Sequence, residues 1–248
     1  MNTTFVGIEL RRIVRNVPQM FFTAILPAFF YVIFGATQDY GSERVGNGNV
    51  TMMVMISMAV YGAVTATTSI GGMAAVERMQ GWGRQLGLTP LRDGSYVSMK
   101  ALVAVSIAAV PIALIYLLGA FTGAKGDTTA WLLSALLCLL GAAVFSLFGL
   151  CVGTAFRSDT AVGAASGSLV ILAFLGNVFV PLSGTMLAIA KFTPLYGVVS
   201  LARYPVTEGQ LADGSVEPLW VPVLNVTVWT AIFAVLAIYL VRRGRSRQ

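Results

Sequence analysis

Long apolar runs separated by short polar breaks dominate the chain. Six of these runs are close to or above the length of about 18–20 residues that crosses about 30 Å of hydrocarbon as a helix. They cover residues 18–35, 52–75, 101–121, 130–156, 160–182 and 219–241. The spans use up nearly the whole chain, so we expect residues 1–248 to form one all-α membrane domain with six transmembrane helices.

The first run has a second interpretation, as the hydrophobic part of a secretory signal with basic residues in front of it. It is long for that role, and no pattern of small residues typical of a cleavage site follows it cleanly. A retained span is therefore the favoured interpretation.

Residues 4–16 are predicted to form a short amphipathic helix. At 100° per residue its apolar side chains share one face, while Arg11, Arg12 and Arg15 occupy the opposite face. Such a helix lies in the membrane interface, and Pro18 then marks the turn into the first span. A simple basic flank without a defined helix is the alternative.

The longest break, residues 183–218, is itself partly apolar. Its first half is interrupted by Pro194 and Pro205 and carries Lys191 and Arg203, and neither apolar piece is long enough to span a membrane. We expect one or two short helices here, lying at the outer membrane surface or dipping partly back into the bilayer.

Lysine and arginine are distributed unevenly between the two sides that six spans define. Four of the 16 basic residues, Arg44, Lys125, Lys191 and Arg203, fall on one side and the others fall on the opposite side. The positive-inside rule places the richer side, with both termini, in the cytoplasm. The net charge of +6 is thus explained by topology, and no nucleic-acid partner is expected.

Composition supports the membrane interpretation and excludes several kinds of chemistry. The chain is 57% hydrophobic and 10% charged, against about 25% charged in soluble domains. It has no histidine, which excludes histidine-based metal sites, haem ligation by histidine and histidine general bases. The six runs contain no Asp, Glu, Lys or Arg, which argues against a proton-coupled carrier, a charged-filter channel and a carboxylate-based membrane enzyme.

A phosphate-binding loop is also missing, because no lysine stands in the Gly-Lys-Ser/Thr sequence that ends such a loop. The chain therefore cannot bind ATP in that way. If it performs work, the energy has to come from another polypeptide.

The break at residues 76–94, VERMQGWGRQLGLTPLRDG, is the polar segment most informative about function. Met79, Trp82 and Leu86 share one side of a weakly amphipathic helix that ends near Gly87 and is stopped by Pro90. Exposed apolar side chains on a cytoplasmic helix need a surface to pack against. The residues alone leave the membrane surface and a partner protein equally open.

This segment resembles the signature of type-2 ABC exporter permeases. The matching residues are Glu77-Arg78, Gly81, Leu86 and Thr89-Pro90-Leu91, followed by Lys100 at the start of the third span. The resemblance extends over the chain, since it includes the amphipathic N-terminal helix, six spans and the broken apolar segment before the last span. One departure is Trp82-Gly83, where many members of the family have Thr-Leu or a similar pair.

The resemblance implies that the segment is a coupling helix that docks on a cytosolic ABC ATPase. The residues implied in this contact are Glu77, Arg78, Met79, Trp82, Arg84, Leu86, Thr89 and Pro90. It further implies two ATPase subunits, a second permease chain, and ATP and Mg²⁺ bound by the ATPase, with no cofactor or metal on this chain. Gly163, Ala164 and Gly167 fit a dimer seam on the fifth span, and packing within the chain is the alternative.

Together these features predict the permease subunit of an ATP-driven exporter in a bacterial cell membrane. The charge-free spans favour a hydrophobic or amphipathic substrate, such as a drug, a peptide antibiotic or a lipid-like molecule. One alternative is a membrane sensing or resistance subunit that binds a ligand and signals without transport. Another is an ion-coupled carrier, which the charge-free spans disfavour.

Overall fold

The chain folds into a helical bundle in a computed structural model. The structure describes residues 7–8, 11–12, 15–77, 93–155 and 160–245. Side chains are described at residues 7–8, 11–12, 15–73, 102–155, 163 and 165–240. The helices are α1 (Val17–Ala36), α2 (Val50–Glu77), α3 (Asp93–Phe121), α4 (Thr128–Ala155), α5 (Thr160–Leu175), α6 (Gly184–Ala190), α7 (Pro194–Thr207) and α8 (Trp220–Arg245). Two turns of α1, at Phe21–Ile25 and Val32–Ala36, are π-helical.

Five of these helices are long and apolar enough to cross a membrane, namely α1 to α4 and α8. The short helices α6 and α7 meet at an angle of 97°, and this bent pair counts as a sixth candidate span if it is taken as one unit. The all-α architecture with several spans is thereby confirmed.

The fifth predicted span differs from the expected one. Residues 160–182 were expected to form one helix, but α5 ends at Leu175. Asn177 follows with a φ of 60°, in the left-handed region that stops an α-helix, and its Oδ1 accepts a hydrogen bond of 2.9 Å from the backbone N–H of Leu182. The chain therefore leaves α5 through a closed turn, and α6 begins only at Gly184.

Helix α2 lies at the centre of the bundle, with 78% of its most apolar stretch buried. It packs most extensively on α4 and then on α3. A side chain at Gly149 of α4 would collide with the backbone of Thr68, and one at Gly71 of α2 would collide with the carbonyl of Ser146. Glycine on both helices thus lets the two backbones touch.

Large apolar side chains cover the outside of the bundle. On α4, Leu132, Leu136 and Leu140 are exposed at a spacing of four residues, which places them along one face. On α8, Val228, Val235 and other apolar residues are similarly exposed. A continuous apolar surface of this extent suits contact with lipid rather than water.

Polar residues gather at one end of the bundle, here called the loop end, which carries residues 37–49, 122–127 and 208–219. A short hairpin of β1 (Arg44–Val45) and β2 (Gly48–Asn49) lies there, with Arg44 opposite Asn49. The Asn49 side chain accepts a hydrogen bond from the N–H of Lys125 at 2.9 Å and donates one to the carbonyl of Gly123 at 2.9 Å. The first loop is thus tied to the loop between α3 and α4.

The loop end also includes the segment before α8. There the hydroxyl and backbone N–H of Ser215 donate to the Asp213 carboxylate and hold its pKa below the usual range. The opposite end of the bundle, here called the terminal end, carries Glu77, Asp93 and Ala155.

Candidate functional site

The segment predicted to dock on an ATPase begins where α2 ends. Glu77 is the last residue of α2, and α3 begins at Asp93, so the segment connects two helices at the terminal end. Its other predicted contact residues lie outside the described residues: Arg78, Met79, Trp82, Arg84, Leu86, Thr89 and Pro90. Their role in docking stays a prediction.

The basic residues of the predicted interfacial helix lie at the start of the described chain. Arg11 and Arg12 are helical and exposed, and the N–H of Arg15 donates to the carbonyl of Arg11 at 3.2 Å. Asn16 then caps α1, because its side chain accepts a hydrogen bond from the N–H of Gln19. The placement of this segment at a membrane surface stays a prediction.

The glycines predicted for a dimer seam lie on an open face of α5. Gly163 and Gly167 are exposed, and a Cβ added at either would meet no atom within 4 Å. The side chain of Ala164, between them, lies outside the described residues. Gly149 of α4 differs, because the backbone of α2 lies directly against it. The seam on α5 stays a prediction.

The bend between α6 and α7 consists of three residues whose carbonyl oxygens are all bound by side chains of α8. Asn225 Nδ2 donates to the carbonyls of Lys191 at 2.7 Å and Thr193 at 3.1 Å. Trp229 Nε1 donates to the carbonyl of Phe192, which lies between them, at 3.0 Å. A helix end leaves carbonyl groups without partners in the helix, and here the last span supplies the donors.

A buried carboxylate joins the same bend to the segment before α8. Glu217 is only 4% exposed and accepts hydrogen bonds from the hydroxyl of Tyr196 at 3.0 and 3.1 Å. Lys191 Nζ lies 3.0 Å from the same carboxylate. Because a buried carboxylate is costly without donors, this three-residue arrangement satisfies Glu217 and fixes the position of the bend.

A second cation of the same region is placed quite differently. Arg203 of α7 is partly buried and reaches into the bundle, where its Nε donates to Ser57 Oγ of α2 at 2.6 Å. Its Nη2 donates to the carbonyl of Val178, just after α5, at 3.4 Å. Among the residues that the structure describes, no carboxylate pairs with this guanidinium. Both recorded acceptors are neutral, so the positive charge is not balanced there.

Five aromatic side chains, called the aromatic cluster, include the residue that follows Val178, one of the two acceptors of Arg203. Its rings are Phe30, Phe34, Tyr61, Phe174 and Phe179. Phe179 is the centre, with ring centroids 5.0 Å from Tyr61, 5.1 Å from Phe174 and 5.7 Å from Phe30. Tyr61 is buried, whereas Phe174 is 54% exposed, so the cluster leads from the interior to the surface between α1 and α5.

The sequence did not predict these contacts of Arg203 and Glu217. It placed both in the break at 183–218, where Arg203 counted only toward topology and Glu217 was given no role. The available signal was an arginine inside an apolar stretch bounded by Pro194 and Pro205, because a charge in such a stretch is usually functional. Its partner Ser57 lies 146 residues away, beyond the reach of local patterns.

Other kinds of site find less support. The described part of the chain holds no group of three or more side chains suited to a metal ion. A groove of about 420 Å³ at the loop end is lined by polar residues of both charge signs, including Arg44, Lys125 and Asp127. This groove is open to solvent, and its mixture of positive and negative side chains favours neither an anionic nor a cationic ligand.

Comparisons with known proteins agree with this architecture. Residues 3–206 match a family model described as ABC-2 type transporter, which takes in α1 to α6 and nearly all of α7. The chain is also 27% identical over 245 residues to a protein of Bacillus subtilis (strain 168) named "Putative transport permease YvfS". That similarity covers 96% of each of the two chains.

Proposed function

We propose, on the premise that this chain belongs to the ABC-2 type transporter family, that it exports hydrophobic or amphipathic compounds with energy from a separate ATPase. Family membership makes the chain a multi-pass membrane permease that works with ABC ATPase subunits. One observation supports the substrate class: the candidate spans α1 to α4 and α8 carry no Asp, Glu, Lys or Arg along their apolar stretches. A transport path lined by such spans suits a substrate with a large apolar part.

The proposal assigns the terminal end to the cytoplasm of a bacterial cell and the loop end to the outside. The excess of lysine and arginine on the terminal side supports this orientation. Both termini and the segment 78–92 then lie in the cytoplasm, where the segment can reach an ATPase.

The proposed assembly contains two ATPase subunits and two permease chains, identical or not. ATP and Mg²⁺ bind to the ATPase subunits, since this chain has no phosphate-binding loop. The open glycine face of α5 at Gly163 and Gly167 supports a close contact with the second permease. Closure of the ATPase pair would move the spans through the segment between α2 and α3.

Reconstitution of the native complex tests this function. The permease is purified from its own membranes with the ATPase that accompanies it and is placed in liposomes, with the ATPase alone as the control. We expect amphipathic compounds to stimulate ATP hydrolysis only when the permease is present. Ligand binding with a co-purified kinase and no ATPase would instead favour a sensing subunit, and transport driven by an ion gradient alone would favour a carrier.

A further inference from the structure

The unbalanced charge of Arg203 lies within the apolar part of the bundle. Its partner Ser57 is seven residues from Val50, where α2 begins at the loop end, which corresponds to about 10 Å along the helix. A hydrocarbon layer is about 30 Å thick, so this depth falls in the half nearest the loop end. A guanidinium keeps its charge at every physiological pH, so the site cannot be made neutral by loss of a proton.

Nearby groups do not supply the missing negative charge. Glu217 is the buried carboxylate of this region, and Lys191 and Tyr196 already bind it. Arg203 uses Nε and Nη2 for its recorded hydrogen bonds, so in the described structure Nη1 retains its donors. Arg203 as a whole residue is of intermediate exposure.

The aromatic cluster is linked along the chain to both acceptors of Arg203. Val178, whose carbonyl accepts from Arg203, is followed by Phe179 at the centre of the aromatic cluster. Ser57 and Tyr61 are four residues apart, so both lie on the same face of α2. Two of the residues that contact or adjoin the charge thus connect it to the aromatic cluster, with the charge nearer the loop end.

We propose that Arg203 and the aromatic cluster bind an amphiphile with an anionic head, whose phosphate or carboxylate takes the free donors of the guanidinium while its alkyl chain packs on the rings. A guanidinium matches the geometry of these two groups better than an ammonium does. The inference rests on the proposed function because it names the substrate class of the same permease. The anionic head belongs either to the exported compound or to a membrane lipid, and the two sources share this chemistry.

A binding measurement on the permease alone tests the site. The protein in dodecyl maltoside is mixed with dodecyl phosphate, with dodecanol or with dodecyltrimethylammonium, and the apparent midpoint of thermal unfolding is recorded against concentration. We expect dodecyl phosphate to raise the midpoint at concentrations at which the neutral and cationic compounds with the same chain do not. Arg203→Gln should weaken the apparent affinity for dodecyl phosphate at least about tenfold, the loss expected for charge-assisted hydrogen bonds.

Matched variants separate binding from a purely structural role of Arg203. Lys125→Gln removes an exposed cation at the loop end, and Ser57→Ala removes one hydrogen bond of Arg203 but keeps its charge; both should retain the preference for the anion. Arg203→Lys should retain part of it. Phe174→Ala, at an exposed position, should weaken the binding of dodecyl phosphate while leaving the Arg203 charge in place. This variant stays informative if Arg203→Gln fails to fold.

The outcomes distinguish this site from the exporter itself. Equal responses of wild type and Arg203→Gln, or no preference of the wild type for the anion, would overturn the site even if other compounds stimulate ATP hydrolysis. A selective response to dodecyl phosphate without stimulated hydrolysis supports the site but counts against export of that amphiphile. If phosphatidylglycerol vesicles raise the midpoint of thermal unfolding more than phosphatidylcholine vesicles do, and ATP hydrolysis is not stimulated, the anionic head belongs to a membrane lipid. If the anionic amphiphile stimulates ATP hydrolysis, the head belongs to the exported compound.

Discussion

Trp229 of α8 donates a hydrogen bond of 3.0 Å to the carbonyl oxygen of Phe192, the middle residue of the bend between α6 and α7. Asn225, one turn earlier in α8, binds the carbonyls on both sides of it. The last span therefore holds all three carbonyls of the bend. We expect a displacement of α8 to carry the bend with it, which would link the last span to the neighbourhood of Arg203 on α7.

Trp229→Phe should loosen this link without removing the aromatic ring. The variant loses the donor to Phe192 but keeps a ring that can pack near Phe233, whose centroid lies 5.4 Å from that of Trp229. The expected cost is about 1 kcal/mol, the usual net value of one hydrogen bond, measured as a lower apparent midpoint of thermal unfolding. Thr227→Val is the matched control, because the hydroxyl of Thr227 binds only the carbonyl of Val223 in its own helix. Equal midpoints for the two variants would contradict the role of Trp229.

Gly197→Ala should be destabilising through a specific neighbour. A Cβ at Gly197 would overlap the side chain of Asn225, whose Oδ1 is buried without a hydrogen-bond partner in the described structure. The expected cost is about 1–3 kcal/mol, as for other overpacked positions.

Asn225→Ala alone should also be destabilising, since it leaves the carbonyls of Lys191 and Thr193 without their donor. In the double variant the overlap is gone, so the cost should be smaller than the sum of the two single costs by more than about 0.5 kcal/mol. Stability of all four proteins against a denaturant measures this coupling, and simple additivity would show that Gly197 and Asn225 do not contact each other as described.

The sequence predicted the long helices well because a single local property, the apolar run, decides them. It failed at residues 176–182, where the left-handed conformation of Asn177 and its hydrogen bond with Leu182 end α5 early. A single asparagine within an apolar run does not by itself predict this conformation. It also gave no sign that Asn225 and Trp229 bind the bend, or that Arg203 reaches Ser57. Those contacts join residues more than 30 positions apart, and only the packing of the helices brings them together.

Gly149→Ala tests the close contact of α2 with α4. The added methyl group would meet the backbone of Thr68, which cannot rotate away as a side chain could. We expect a loss of about 1–3 kcal/mol in the free energy of unfolding. Gly163→Ala, on the open face of α5, is the control and should not lower the stability of the isolated permease, because alanine favours a helix more than glycine does. A comparable loss in both variants would argue against a specific contact at Gly149.

Gly167→Leu tests the proposed dimer seam. A leucine at this exposed position has room in a single chain, but it would hold two facing helices apart if the glycine face is the contact between permeases. The dimer fraction should fall severalfold in chemical cross-linking of membranes, while the unfolding midpoint of the solubilised permease stays as in the wild type. Leu136→Ala, on the exposed face of α4, controls for a change in side-chain size elsewhere on the surface. An unaltered dimer fraction in the Gly167→Leu variant would place the seam on another face.

Trp82→Glu should separate the permease from its ATPase while leaving the permease in the membrane. Trp82 belongs to the segment between α2 and α3. If the proposed docking buries it against an apolar surface of the ATPase, a charge there would be desolvated at a cost of several kcal/mol. Pull-down of the tagged permease should recover at most about a tenth of the wild-type ATPase, since about 1.4 kcal/mol already lowers an affinity tenfold. Tyr40→Glu introduces the same charge at an exposed residue of the loop end and should recover the ATPase in full. Full recovery with Trp82→Glu as well would mean that this side chain faces the membrane surface or water, and that the ATPase docks elsewhere on the terminal end.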